Sequence, residues 1–378
     1  MPKVTRDSHP IRKNNKMSEN YATMHEIIVA ARNNTSRSVW NYVTGAAETE
    51  TTLRRNRHCL DCHALRPRIL RDVREIDTSR TFMGHNLRIP CLLAPIGSLQ
   101  TITPEGGVAV AKAAAEFGTM NLVSTVTEPT LEEIAQATDH PKFFQIYIRG
   151  DEDWVDALID RARDAGYAAI CLTVDSAYYG RRERQLITGW RPPSIQRYGE
   201  NARALQAGLT WEWMEKMRER GGLPFILKGV QTAEDAELAV QHGVDTIYVS
   251  NHGGRQLDHG DGTIEILKEI VAVTKGKAEI VVDGGIVRGT DVLKALAIGA
   301  DVVALGRYQA WALAAGGQAT LVNALEIMEA EIRNAMGLTG VSSLDQLDPS
   351  FVKEARAVSQ SHELSAFPFL PEEIRGPK

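Results

Sequence analysis

Phe143-Phe144-Gln145-Ile146-Tyr147, an amphipathic stretch over 154–164, Gly166, and then Ala169-Ile170-Cys171-Leu172-Thr173-Val174 form a repeating unit of apolar run, helix and glycine. Each apolar run is too short for a helix, and it is continuous rather than alternating. A parallel strand buried on both faces has that pattern. Working outward, further apolar runs lie at 91–95, 120–124, 225–228, 246–250, 279–283 and 301–305, with helical stretches at 105–117, 233–242 and 289–298. Gly118, Gly166, Gly243 and Gly299 stand just past helix ends, where a left-handed turn favours glycine. Eight strands, each followed by a crossover and with no second domain inserted, predict an α/β fold: a closed (β/α)8 TIM barrel. The first strand ends in Ala94-Pro95-Ile96-Gly97, which is no dinucleotide fingerprint.

The 378 residues suit one barrel with appendages. Residues 1–20 are polar and read as a loose tail. Residues 21–360 read as a single domain with an N-terminal helical extension (21–32 and 37–45 its clearest helices), and 361–378 as a C-terminal tail. With 43 basic and 48 acidic residues the net charge is −5, so no bulk attraction to nucleic acid or to an anionic membrane is expected. No apolar run approaches the roughly 20 residues of a membrane helix, and no secretory signal is visible, so the expected address is cytoplasmic. Cys59, Cys62, Cys91 and Cys171 are too sparse for a disulfide scaffold. Cys59-Leu60-Asp61-Cys62-His63 spells a c-type haem attachment motif, but with no export signal and no evident axial partner it reads as chance residues on a polar helix. No metal site is expected.

Active sites of such barrels lie at the carboxyl ends of the strands. Those ends carry Gln145, Tyr147, Thr173, Asp175, Lys228, Ser250, His252, Asp283, Gly306 and Arg307. Strands end where water begins, which explains some of this polarity. It explains less well a His, a Lys and two Asp reaching one face from separate strands. Asp283-Gly284-Gly285 and Gly306-Arg307 close the last two strands, where barrels bind phosphate through backbone N–H groups and a helix N-terminus. Ser250-Asn251-His252-Gly253-Gly254-Arg255-Gln256-Leu257-Asp258 is the sharpest motif. His252 can take a proton near neutral pH, Arg255 can clamp a carboxylate, and Asp175 can hold the imidazole. Gly180-Arg181-Arg182-Glu183 offers a second arginine, while the other of the two pairs with Glu183 in solvent. The stretch 189–208 falls where a barrel keeps an active-site loop.

Phe144-Gln145-Ile146-Tyr147, Leu172-Thr173-Val174-Asp175, Gly180-Arg181-Arg182-Glu183, Leu227-Lys228-Gly229-Val230, 250–258 and 282–292 together resemble the FMN-dependent 2-hydroxy-acid oxidase and dehydrogenase family. Its members include relatives of glycolate oxidase, lactate oxidase and mandelate dehydrogenase, and the resemblance spans residues 21 to 340. It implies FMN as cofactor and oxidation of an L-2-hydroxy acid to the 2-keto acid, with O2 or another electron acceptor reoxidising the flavin. It implies His252 as the base, Asp175 as its partner, Arg182 and Arg255 for the substrate carboxylate with Tyr42 assisting, and Tyr147 near the substrate hydroxyl. Lys228 resembles the lysine at flavin N1 and O2. Pro95, Ile96, Gly97, Ser124, Gln145, Thr173 and Ser250 match positions touching the isoalloxazine or ribityl chain. Asp283, Gly284, Gly285, Gly306 and Arg307 match the ribityl and phosphate site. A homotetramer is implied in the same way.

The sequence also departs from that pattern. Val287 stands where the family usually has a phosphate-binding arginine, leaving either a weaker contact or one supplied by Arg288. Tyr308 replaces a proline, and Ala46 a common glycine. The segment between Glu183 and Lys228 is short, which predicts a reduced lid, and carries no apolar membrane-anchoring insertion. Val126 takes an often aromatic position and Tyr179 an often aliphatic one, which argues against glycolate. Gly97 lacks a methyl that some relatives carry beside flavin N5, predicting more room there. An oxidase is expected, since no haem or quinone-docking domain is attached. Two other readings stay open. An isomerase-like or inosine-monophosphate-dehydrogenase-like barrel leaves the two substrate-side arginines, or the missing loop cysteine, unexplained. A flavin-binding protein without turnover would not need the whole set Tyr42, Tyr147, Asp175, Arg182, His252 and Arg255.

Overall fold

The computed structural model describes residues 20–193, 201–274 and 276–375. The barrel strands are β1 (Cys91–Leu93), β2 (Leu122–Ser124), β3 (Phe143–Ile146), β4 (Ala169–Thr173), β5 (Phe225–Val230), β6 (Thr246–Val249), β7 (Glu279–Val282) and β8 (Val302–Leu305). All pair in parallel in chain order from β2 to β8, and β8 returns to β1 with Val303 opposite Cys91. The ring closes between β1 and β2, where the Leu93 N–H donates to the Met120 carbonyl at 2.9 Å.

Successive side chains along a strand point to opposite faces. Leu92, Leu122, Phe143, Cys171, Tyr248 and Val281 therefore fill the barrel. Their neighbours Leu93, Val123, Phe144, Leu172, Val249 and Val282 pack against the helices outside. A hairpin of Arg80–Phe82 and His85–Leu87 joins the inner cluster, its Phe82 ring edge-on to Phe143 at 6.1 Å.

Before the barrel come helices α1 (Met24–Asn34), α2 (Arg37–Thr44) and α3 (Thr51–Asp61). The helix after β8, Arg307–Thr339, breaks at Gly316 and Gly317, the latter at φ +70°. Tyr308, on its first turn, donates its hydroxyl to the Ala324 carbonyl across that break at 2.7 Å, a bond that proline could not make.

Three expectations about the segments outside the barrel core meet the structure differently. The first, residues 1–20, lies almost wholly outside the described residues. Residues 189–208 are not a single loop: Asn201–Ala207 is helical, as its Ala, Arg, Leu and Gln content favours, and 194–200 lie outside the described residues. Gln206 pins this helix to the barrel rim, accepting from Ile148 N–H (2.7 Å) and donating to the Thr173 carbonyl (2.9 Å). The C-terminal tail docks on the barrel, with Leu364, Phe367 and Leu370 buried and Phe367 edge-on to Trp311 at 6.0 Å. Among the described residues no helix is long and apolar enough to cross a membrane.

Phe367→Ala is expected to destabilise the protein by about 3–5 kcal/mol, the usual loss for a fully buried phenylalanine. Val358→Ala, at a fully exposed position, is expected to change little. Denaturant titration of both variants measures the difference.

Candidate active site

Two residues beyond the inward-facing positions, the strands and the turns just after them place Ser124, Gln145, Thr173, Lys228, Ser250 and Asp283, all buried. The barrel's last layer is polar because each strand runs out there. Gln145 Nε2 donates to Thr173 Oγ1 (2.8 Å), and Lys228 Nζ to Ser250 Oγ (3.1 Å). Burial would lower the Lys228 pKa, but Asp175 and Asp283 outweigh it and hold it above the ordinary value.

Over this layer opens a cavity lined by Pro95, Ile96, Gly97, Lys228, Asp283, Gly284, Gly285, Gly306 and Arg307, and also by Tyr42, Tyr147, Arg182, His252 and Arg255. Ser124, Gln145, Thr173 and Ser250 are buried in the layer beneath it, and the Asp175 side chain is buried beside His252. Arg288 does not come to the cavity. Its guanidinium pairs with Glu331 at 2.9 Å and lies over the Phe367 ring at 5.5 Å, so the expected reach round Val287 is not made. Val287 itself lines the cavity with an apolar side chain.

His252 starts a run of three left-handed residues, at φ +58°, +63° and +75° through Gly254. Such a φ is costly for a histidine and common for glycine. Neighbouring side chains hold the turn: Ser250 Oγ accepts from the His252 N–H and Asn251 Oδ1 from the Gly254 N–H, both at 3.1 Å. The imidazole thereby meets Asp175 Oδ1 through Nδ1 (2.9 Å) and the Tyr147 hydroxyl through Nε2 (3.2 Å). Burial lowers the His252 pKa, and Lys228 and Arg182 add to that; Asp175 opposes them without reversing the sign. Burial would raise Asp175, but His252 and Lys228 hold its carboxyl below the ordinary value. The pair is a neutral imidazole oriented by a carboxylate. Burial also pushes Tyr147 up to about 12, so its hydroxyl keeps its proton.

The arginines are held by the backbone. Arg255 donates to the carbonyls of Tyr42 (2.6 Å) and Gly45 (2.9 Å), and Arg307 to those of Thr44, Gly45 and Gly253. The end of α2 and the Gly45 loop after it are thus clamped over the rim. Arg182 donates to the Arg255 carbonyl, to the Tyr179 hydroxyl (2.5 Å) and to Gln256 Oε1, with its guanidinium 4.0 Å from the Tyr179 ring. Arg181, by contrast, is exposed and pairs with Glu183. Burial and the neighbouring Arg182 push Arg255 down to about 9, and burial brings Arg307 to about 10. A cluster of part-buried cations whose donors meet backbone carbonyls rather than carboxylates favours an anionic ligand.

Sequence reasoning missed Arg57, Gln256 and Glu363. Arg57 lines the cavity, grips Asp291 with both Nη atoms (2.7 and 2.8 Å) and donates to the Gly285 carbonyl (3.0 Å). It was hidden in a helix whose polar residues look solvated. Gln256 ties the Arg182 loop to the Asp175 and Tyr178 carbonyls, and its place inside the His252 motif was the available signal. Glu363 reaches the cavity from the C-terminal tail and pairs with Arg184 at 2.9 Å. The haem-like motif breaks up: Cys59 is buried, its thiol pushed up to about 11 by burial, and His63 Nδ1 meets the Cys59 carbonyl. Among the described residues no group of His, Cys, Asp and Glu is arranged to hold a metal ion.

The cavity fits FMN. Gly284 and Gly285 take φ of +107° and +78°, and a Cβ on either would strike α3 residues or Thr263, so this turn must be bare backbone. A Cβ on Gly306 would meet nothing within 4 Å, which leaves open space at the start of the helix after β8, where N–H groups have no helical partner. Gln145 Oε1 and Asp283 Oδ1 are buried without a hydrogen-bond partner among the described residues.

The family model of the FMN-dependent dehydrogenases matches residues 31–354. An L-lactate oxidase from Nostoc sp. is 39% identical over 349 residues, covering 85% of this chain and 95% of that protein. A 4-hydroxymandelate oxidase from Amycolatopsis orientalis is 38% identical over 343 residues, covering 86% and 96%. A crystal structure of mandelate oxidase with (S)-4-hydroxymandelic acid superimposes with TM-score 0.83 at 37% identity, covering 90% of this chain and 100% of that one. The chain belongs to the FMN-dependent dehydrogenase family, and FMN is its cofactor.

Neutral His252 predicts that kcat/KM falls on the acid side of a pKa below 6.5. Asp175→Asn removes the one influence raising that pKa, so the acid limb is expected to move still lower. Loss of imidazole orientation should lower kcat by about 10²- to 10⁴-fold. A pH–rate series on both proteins measures the two effects.

Proposed function

We propose that this enzyme oxidises an L-2-hydroxy acid to the 2-keto acid. One arrangement carries the reading: a carboxylate-oriented, neutral His252 opens into the same cavity as two arginines, the buried Arg182 and the half-buried Arg255. FMN, when bound, accepts the two electrons that such an oxidation releases. Asp283, Gly284, Gly285, Gly306 and Arg307 would hold its ribityl and phosphate groups, with Pro95, Ile96, Gly97 and Lys228 along its ring, and Lys228 would supply the buried cation at N1 and O2.

The remaining steps belong to the protein. Arg182 and Arg255 take the substrate carboxylate, and each brings a planar fork suited to it. The grip places the C2 hydroxyl near the Tyr147 hydroxyl and His252 Nε2, 3.2 Å apart. His252 takes up a proton at Nε2, and Asp175 stabilises the imidazolium through Nδ1, in the role that a carboxylate plays for other catalytic histidines. Tyr42 lies against Arg255, its ring 5.1 Å from the guanidinium, and its hydroxyl donates to the Gly97 carbonyl at 3.0 Å. The reacting end is thus bounded by side chains that are themselves tied down.

The relatives named above act on lactate and 4-hydroxymandelate, which differ greatly in size. With Val126 and Tyr179 on its walls, the pocket favours an acid larger than glycolate. O2 is the acceptor we favour, with a cytoplasmic homotetramer as the form of the enzyme. These last assignments rest on the family resemblance.

Anaerobic addition of a panel of 2-hydroxy acids to the purified yellow protein is the direct test. Bleaching of the flavin bands by one acid is the expected result, with colour returning when air is admitted. Bound flavin that no acid bleaches would refute the reading. In the same assay Arg255→Lys keeps a charge but loses the fork, and is expected to lower kcat/KM by about 10- to 100-fold, mostly through KM.

A further inference from the structure

Val287 leaves the phosphate end of the cavity short of a donor, and the nearby arginines do not make up for it. Arg288 turns away to Glu331 and Phe367. Arg57 lines the cavity, but its N–H groups are taken by Asp61, by Asp291 and by the Gly285 carbonyl. Arg307 directs Nε, Nη1 and Nη2 to the carbonyls of Thr44, Gly253 and Gly45, which leaves one N–H on each Nη atom. One further donor stands here. Trp311 lines the same cavity and is only 1% exposed, and its Nε1 is buried without a hydrogen-bond partner among the described residues. We propose that the Trp311 indole N–H takes the place of the arginine missing at 287 and donates to the FMN phosphate. The inference rests on the reading above that sets the phosphate against Gly284, Gly285, Gly306 and Arg307.

The helix after β8 carries the indole to this place. Residues four apart share a helix face, and helical side chains lean back over the preceding turn. Trp311, one turn beyond Arg307, therefore covers the first turn, beside the open space at Gly306. That turn is fixed to the barrel: Gln309 Nε2 donates to the carbonyls of Ala94 (2.8 Å) and Leu305 (2.6 Å). Phe367 of the C-terminal tail stands edge-on to the indole at 6.0 Å, and the Arg288 guanidinium lies 5.5 Å from the same Phe367 ring. Phe367 thus links Trp311 to the turn after β7, and Arg288, though turned from the cavity, supports the ring that holds the indole.

The chemistry of the surroundings names the acceptor. An indole N–H can only donate, and a buried one ordinarily finds a partner. Leaving it unpaired costs the desolvation of the group. The cavity wall around it offers more donors, from Arg307 and from the first helical turn, together with the apolar Ile286, Val287 and Ala310. Donors that converge with no acceptor among them are completed by a ligand group made only of acceptor oxygens, and the cofactor's phosphate is such a group. The indole is neutral. A site built this way holds the phosphate more by directed N–H bonds and less by charge than one with an arginine at 287.

The test compares FMN with riboflavin, the same flavin without its phosphate. The enzyme is loaded with FMN or, by exchange, with riboflavin, and flavin fluorescence on dilution gives both Kd values. Trp311→Phe keeps an aromatic ring against Phe367 but removes the N–H. It is expected to weaken FMN by about tenfold to a hundredfold and to leave riboflavin unchanged. If Trp311→Phe fails to fold, Trp311→benzothienylalanine, which exchanges the N–H for sulfur at nearly the same size, gives the same comparison. Equal weakening of both flavins would mean that Trp311 only shapes the cavity, and unchanged FMN binding would mean that its N–H does not reach the phosphate; either overturns the proposal. Arg307→Gln, read the same way, checks where the phosphate lies and is expected to weaken FMN selectively. If Arg307→Gln shows that selective loss and Trp311→Phe does not, the phosphate end stands and the proposal alone falls. If neither shows it, the placement of the phosphate falls as well.

Discussion

A parallel strand covered on both faces can carry a polar side chain only where it ends, and the site of this enzyme is a consequence of that constraint. Phe143, Cys171, Ile226, Tyr248 and Val281 fill the barrel, and the residue two places further on from each is Gln145, Thr173, Lys228, Ser250 or Asp283. The pleat turns both members of every pair to the same side. Five unrelated stretches of chain thus deliver one polar floor without any of them being a motif in itself. Because the strands are parallel, all these ends lie at one rim.

The charges above that floor are arranged so that none is left uncompensated at a cost the fold could not bear. Lys228 lies between Asp175 and Asp283, and Arg57 grips Asp291. The exceptions are Arg255 and Arg307, whose donors meet backbone carbonyls of the helical extension rather than carboxylates. Carbonyl dipoles hold these cations in place but do not neutralise them, and the cavity retains an affinity for anions. The same bonds fasten the extension over the rim.

Much of the site was legible in the sequence because its residues sit at strand ends, where periodicity alone locates them. His252, Asp175, Lys228, Tyr147 and the Gly284-Gly285 turn belong to that group. Residues placed by packing between distant segments were not legible. Arg57 belongs to α3 and Glu363 to the C-terminal tail, and nothing in their local sequence points toward a barrel mouth. Arg288 was misread for the converse reason: it adjoins the phosphate turn in sequence, but its side chain turns to Glu331 and Phe367.

The sequence by itself determined the barrel, the rim on which chemistry occurs and the residue types assembled there. Strand spacing, the period of two and the glycine turns are local properties that need no knowledge of neighbours. Only the tertiary structure decided what each of these groups meets. It set the His252 imidazole between Asp175 and Tyr147, tied the arginines to backbone carbonyls, and filled the space above Gly97 with a methyl of Val126. Distances between side chains on different strands depend on shear, twist and loop docking, which are settled when the ring closes and are written in no single segment.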